Sequence, residues 1–219
     1  QNFDLGDVGY QQTEFFIEGT ASAFTNVSEL GSDGFWVLEP AEQAAYKTRI
    51  VVYSPVDPAD FNGIVQMEWL NVTAGFETPP SWGTGQLEMR RGGSVWVGVS
   101  AQLIGIEGSE RALLPLHLKA VDPARYGSLF HPGDSFSYDM FSQVANAIRN
   151  PGAIDVLGGL TAEYIIAYGE SQSAGRLVTY VNGLQPLYGT FDGYMIHSRG
   201  GGASPISQEP MTSISAPAA

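Results

Sequence analysis

Tyr164-Ile165-Ile166-Ala167-Tyr168-Gly169-Glu170-Ser171-Gln172-Ser173-Ala174-Gly175-Arg176-Leu177 is the stretch that decides the fold. Its first part, Ala162 to Tyr168, is nearly continuous in apolar residues, the pattern of a buried strand. Its last part opens a helix that runs from Ala174 to Asn182 and closes at Gly183. Between them lies a tight Gly-x-Ser-x-small turn. A serine in such a turn takes up a strained backbone conformation, with its hydroxyl presented over the C-terminal edge of the sheet. The N–H of Gln172 then points to where charge develops on an attacked carbonyl oxygen, aided by the helix N-terminus. Serine also favours helix N-caps. A cap accounts for Ser171, but not for Gly169 or the small residues at 173–175. Ser173 stands where the usual second glycine would be.

Outward from this turn the pattern alternates. Residues 48–53, 64–70, 93–100 and 191–196 read as further strands from their β-branched and apolar content. Tyr138 to Arg149 reads as a helix stopped by Asn150-Pro151-Gly152, and residues 86–91 as part of a short one. Strands alternating with helices predict an α/β fold with a mostly parallel central sheet. Residues 1–47 read as strands and loops. Residues 102–135 carry breakers throughout and are expected to form a cap or insertion. Residues 203–219, rich in Ser, Pro and Ala, read as a loop or tail.

Composition narrows the function. The 219 residues hold 10 basic and 23 acidic side chains, a net charge of −13 that repels phosphate backbones and argues against nucleic acid as a partner. Residues 1–89 hold two bases, Lys47 and Arg49. No apolar run approaches the ~18 residues of a membrane span. Cysteine is absent, which excludes disulfides, thiolate metal sites and a cysteine nucleophile. The three histidines, His117, His131 and His197, have no metal-ligand spacing, and no nucleotide-binding fingerprint occurs. No metal and no cofactor is expected. Low charge and an N-terminal Gln1 without initiator Met set the expectation of a secreted or periplasmic protein; the sequons Asn26-Val27-Ser28 and Asn71-Val72-Thr73 are triplets common by chance and add little to it.

Five segments extend the reading: 68–73, 96–102, 137–143, 169–174 and 197–200. With the turn at Ser171 they resemble the α/β-hydrolase-fold serine hydrolases, and within them the group called alpha/beta hydrolase domain-containing proteins. The resemblance covers residues ~48–202. It implies a sheet of the α/β-hydrolase type and cleavage of a small-molecule carboxylic ester through an acyl-enzyme on Ser171. Gln172 matches the first oxyanion donor. The second is implied in the loop after the 64–70 strand, at Asn71 or Val72. That loop also leaves the C-terminal edge of a central strand. His197, Gln102 and Trp69 are expected in the substrate pocket. Of the other aromatics, Phe76 and Trp82 fit a pocket and Trp96 the core. An acyltransferase on the same site, and an inactive hydrolase-fold binding module, are the alternatives.

A serine nucleophile needs an adjacent base and an orienting acid. In this fold the order is Ser, acid, His. Only His197 follows Ser171, and it ends the very next strand. It is left as base, pocket residue or structural residue. The resemblance implies further strand–helix units carrying the acid and the base. Residues 1–219 are therefore expected to be the N-terminal part of one α/β-hydrolase domain, its sheet incomplete at the C-terminus. A C-terminal portion or second chain of the same precursor is the expected partner.

Overall fold

The computed structural model of the chain describes residues 3–110, 112 and 114–207. The elements run β1 (Tyr10–Asn26), β2 (Leu38–Pro55), β3 (Ile64–Trp69), α1 (Pro80–Gly92), β4 (Val95–Val99), α2 (Leu103–Glu107), α3 (Leu118–Val121), α4 (Pro123–Tyr126), α5 (Ser137–Arg149), β5 (Tyr164–Glu170), α6 (Gln172–Thr179), α7 (Gln185–Tyr188) and β6 (Gly193–His197). The strands form one sheet in the order β1-β2-β4-β3-β5-β6. β4, β3, β5 and β6 are parallel, while β1 and β2 form an antiparallel hairpin joined antiparallel to β4. The fold is α/β with a mostly parallel sheet.

Both faces of the central strands are covered, which is why β4 reads as an unbroken apolar run. On one face Val65, Met67, Trp69, Val97, Val99, Ile165 and Ala167 pack against Tyr138, Phe141 and Val144 of α5 and Leu177 of α6. On the other, Val51 and Trp96 meet Trp82 and Met89 of α1. Glu68 is fully buried there and fastens α1 to the sheet. Its carboxylate accepts from Ser81 N–H at 2.7 Å, Trp82 N–H at 3.0 Å and Trp96 Nε1–H at 2.9 Å. Burial pushes its pKa up, and these donors pull against that shift.

Residues 1–47, expected as strands and loops, hold β1 and the first part of β2, which pair as one long hairpin. Only Ile50–Tyr53 of β2 pair with β4, so the hairpin overhangs the sheet. Its far half lies on α5 through Ala21, Ala23, Tyr46, Phe136 and Met140. The pairing slips between Ser22 and Phe24, and the freed Ser22 N–H donates to Asp139 of α5 at 2.6 Å.

Segment 102–135 holds α2, α3 and α4 around a small core of Ile106, Leu118 and Leu129. It is tied to the hairpin by the Lys47–Phe130 bridge and by Arg125 on Glu14. Residues 203–207 are fastened to α5 and α6. Ser204 N–H donates to Gly175 O at 3.0 Å, Tyr138 OH donates to Pro205 O at 2.8 Å, and Ile206 is buried. The rest of the expected tail, 208–219, lies outside the described residues.

Candidate active site

From β3 the chain crosses by α1 to β4 on one side; from β4 it crosses by α5 to β5 on the other side of β3. The direction of winding therefore reverses at β3 and β5, and a crevice opens beyond the C-terminal ends of strands at such a point. Two turns flank it: residues 70–78 after β3, and Ser171 after β5.

Ser171 has φ 56° and ψ −111°, a conformation that costs a non-glycine residue about 1–3 kcal/mol. Several contacts hold it there. Its N–H continues the β5–β6 ladder by donating to His197 O at 3.1 Å. The Ser173 hydroxyl accepts from Glu170 N–H at 3.0 Å and donates to Glu170 O at 2.9 Å. Ser173 is fully buried, so the residue standing for the second glycine closes the turn. A Cβ on Gly169 would lie 2.8 Å from Ser173 O, so only glycine lets α6 approach β5 this closely. Ser171 occupies the N-cap position of α6 yet makes no side-chain cap hydrogen bond, and the residue is exposed. Its Oγ has no hydrogen-bond partner among the described residues.

The turn after β3 reaches the same place. Asn71 Nδ2 donates to Glu170 O at 2.9 Å, tying this turn to the residue before the serine. Asn71 N–H is taken up by Thr78 O at 3.0 Å, and Thr78 N–H donates back to Asn71 O at 2.8 Å. Asn71 therefore has no backbone donor to offer. Val72 N–H points instead at Gln172 Oε1 at 3.5 Å, a weak contact. The N–H of Gln172 is the first of α6 and has no partner within the helix. Asn71, Val72 and Gln172 are thus brought together beside Ser171. The Asn71 amide is thus buried and bonded.

The histidines lie elsewhere. His197 offers its backbone carbonyl to Ser171, but its ring sits on the α1 face, with Nε2 3.4 Å from Ser81 Oγ. There it borders a cavity of about 320 Å³ with Gln66, Tyr168 and Met195. His131 is buried between an N–H and a carbonyl: Nδ1 accepts from Gly133 N–H at 3.1 Å, and Nε2 lies 3.1 Å from Ala101 O. That pairing fits the neutral ring, and burial lowers its pKa. His117 stands at the N-cap position of α3 without a side-chain cap bond, its ring against Gly108. Among the described residues no histidine reaches Ser171 Oγ.

Two expected pocket residues sit in the core instead. Trp69 is fully buried against Tyr138 and Phe141. Gln102, 2% exposed, accepts from Trp69 Nε1–H at 3.0 Å and donates to Asp134 at 3.3 Å. A polar residue after an apolar strand looks the same in sequence whether it faces an opening or a buried partner. Here the partner is a clamp that sequence reading missed: Arg176 of α6 donates to Asp134 at 2.8 Å, with both side chains under 10% exposed. The signal available was Arg176 itself, a lone charge within the apolar run of α6.

The fold and the serine turn define a hydrolase-type α/β domain. The family described as "Alpha/beta hydrolase domain" matches residues 1–218, and the chain belongs to that family. No curated protein matches the sequence. Among solved structures it is similar to fungal esterases from Rhizomucor miehei, at 12% identity and TM-score 0.43, over 95% of this chain and 54% of that one. It is also similar to a CE15 glucuronoyl esterase from Teredinibacter turnerae, at 11% identity and TM-score 0.39, over 89% and 46%. A third is acetyl xylan esterase 1 from a Thermoanaerobacterium species, at 12% identity and TM-score 0.34, over 74% and 47%. The chain spans about half the length of these structures.

Proposed function

We propose that the protein is a serine hydrolase that cleaves small-molecule carboxylic esters through an acyl-enzyme on Ser171. The observation that carries this is a non-glycine residue held at φ 56° at the switch point, its hydroxyl unbonded. Ser171 Oγ attacks the ester carbonyl and loses its proton to a base. The carbonyl oxygen becomes an oxyanion that accepts from Gln172 N–H and Val72 N–H, after the Gln172 side chain swings off Val72. The base passes the proton to the departing alkoxide, which leaves as the alcohol. Water, deprotonated by the same base, then attacks the acyl-enzyme and releases the carboxylic acid and the free serine.

The base and its orienting acid are proposed to come from polypeptide beyond the described residues. What supports this is the orientation of the His197 ring and the outer edge of β6, which carries no strand among the described residues. On β6 itself Met195 is 48% exposed. Such an edge is stable when another element covers it.

The test is hydrolysis of p-nitrophenyl acetate by the whole protein. Ser171→Ala is expected to abolish turnover while circular dichroism stays native. An alanine variant turning over at the wild-type rate contradicts the reading.

A further inference from the structure

The turn that carries Val72 is held at its far end by a buried ion pair. Glu77 lies one residue before Thr78, whose two backbone bonds to Asn71 close the turn. Its carboxylate accepts from Arg49 Nη2–H at 2.7 Å, with side chains 7% and 14% exposed. Arg49 is fixed in turn. It belongs to the stretch of β2 beside β4, its Nε–H donates to Ser100 Oγ at 3.2 Å, and its carbonyl accepts Ser100 N–H at 3.0 Å. On the other side Glu77 packs against α2, where a Cβ on Gly105 would lie 2.5 Å from its carboxylate. Thr73 and Ala74, at the tip of the turn, are exposed and carry no such tether.

We infer that Arg49 and Glu77 are positioning residues for the oxyanion hole: the pair fixes Thr78, Thr78 fixes Asn71, and Asn71 sets the direction of the Val72 N–H. The inference rests on the esterase reading above. Neither side chain touches the substrate. Their effect falls on the transition state, because a donor displaced from the oxyanion loses little in the ground state and much when charge develops.

The same pair lines the cavity of about 430 Å³ behind the turn, with Tyr53, Trp96 and Tyr126. Glu14 in that cavity binds both Arg49 and Arg125. Arg125 is 53% exposed and lies at the outer end of the charge cluster, so it serves as the control.

The experiment uses the whole protein with p-nitrophenyl acetate, a trifluoromethyl ketone that mimics the tetrahedral intermediate, and the corresponding plain ketone. Loss of an oxyanion donor costs roughly 100- to 1000-fold, so loosening one in Glu77→Gln is expected to lower kcat by about 10- to 100-fold. KM should stay within about 3-fold, since uniform binding is untouched. The Ki of the trifluoromethyl ketone should rise by the same factor as kcat falls, while that of the plain ketone stays put. Arg125→Ala should keep wild-type kcat. If Glu77→Gln does not fold, Arg49→Lys, which keeps the charge but loses the guanidinium fork that reaches Ser100, Glu14 and Glu77 at once, carries the same readout. A folded variant with unchanged kcat, or one that weakens both ketones equally, overturns the inference. Ser171→Ala run alongside separates the two claims. If it is active, the esterase reading falls; if it is silent while Glu77→Gln turns over normally, only the positioning role falls.

Discussion

At the residue scale, His131 shows how local geometry fixes a protonation state. Its ring accepts an N–H at one nitrogen and faces a carbonyl at the other, so the folded protein holds it neutral. Its folded pKa lies below the ordinary 6.5, because burial disfavours the cation. The unfolded chain therefore binds more protons between pH 6.5 and the lowered value. The stability this histidine contributes is present above pH 6.5 and is lost as pH falls through that window, at up to about 1.4 kcal/mol per pH unit. Thermal unfolding from pH 7.5 to 5 should show a steeper decline in wild type than in His131→Gln. Equal slopes would contradict the assignment. The tight turn around Ser171 was readable in the sequence because its residues are constrained: Gly169 by contact with Ser173 O, and Ser173 by its bonds to Glu170. That the Asn71 N–H is taken up by the Thr78 carbonyl was not, because a bond across a turn leaves no mark on residue type.

At the element scale, α6 is held between two constraints, the serine turn at its start and the Arg176–Asp134 pair along its side. Gln102 and Leu103 N–H also donate to Asp134, so α2, the start of α5 and α6 converge on one carboxylate. Removing one partner of a buried pair costs about 3–5 kcal/mol, because the other charge is left without compensation. Asp134→Ala is therefore expected to lower Tm by roughly 6–20 °C for a chain of this size. Adding Arg176→Met should recover much of that loss; a double variant less stable than Asp134→Ala would argue against an uncompensated charge. The short apolar strands β3, β4 and β5 and the helix α5 were legible because burial imposes a clear pattern on them. The hairpin of β1 and β2 was legible only at residues 48–53, within β2. It overhangs the sheet, alternates exposed Glu, Gln and Thr with small residues, and gains its order from pairing along its whole length. Helices α2, α3 and α4, of five, four and four residues, are too short to show a period.

At the scale of the whole molecule, the order of the strands does what no single motif can. It brings the turn after β3 and the turn after β5, a hundred residues apart, to the same crevice, where Asn71 bonds to Glu170 and Val72 faces Gln172. The ion pair of Arg49 and Glu77 extends that arrangement to β2, so the candidate oxyanion hole is braced by the antiparallel part of the sheet as well as by its parallel part. The central claim is that this arrangement activates Ser171. The most direct measurement is to treat the whole protein with a fluorophosphonate, digest it and locate the adduct by mass spectrometry. The account predicts one stoichiometric adduct on Ser171, lost in Ser171→Ala. Labelling at another residue, or undiminished labelling of the alanine variant, would contradict it.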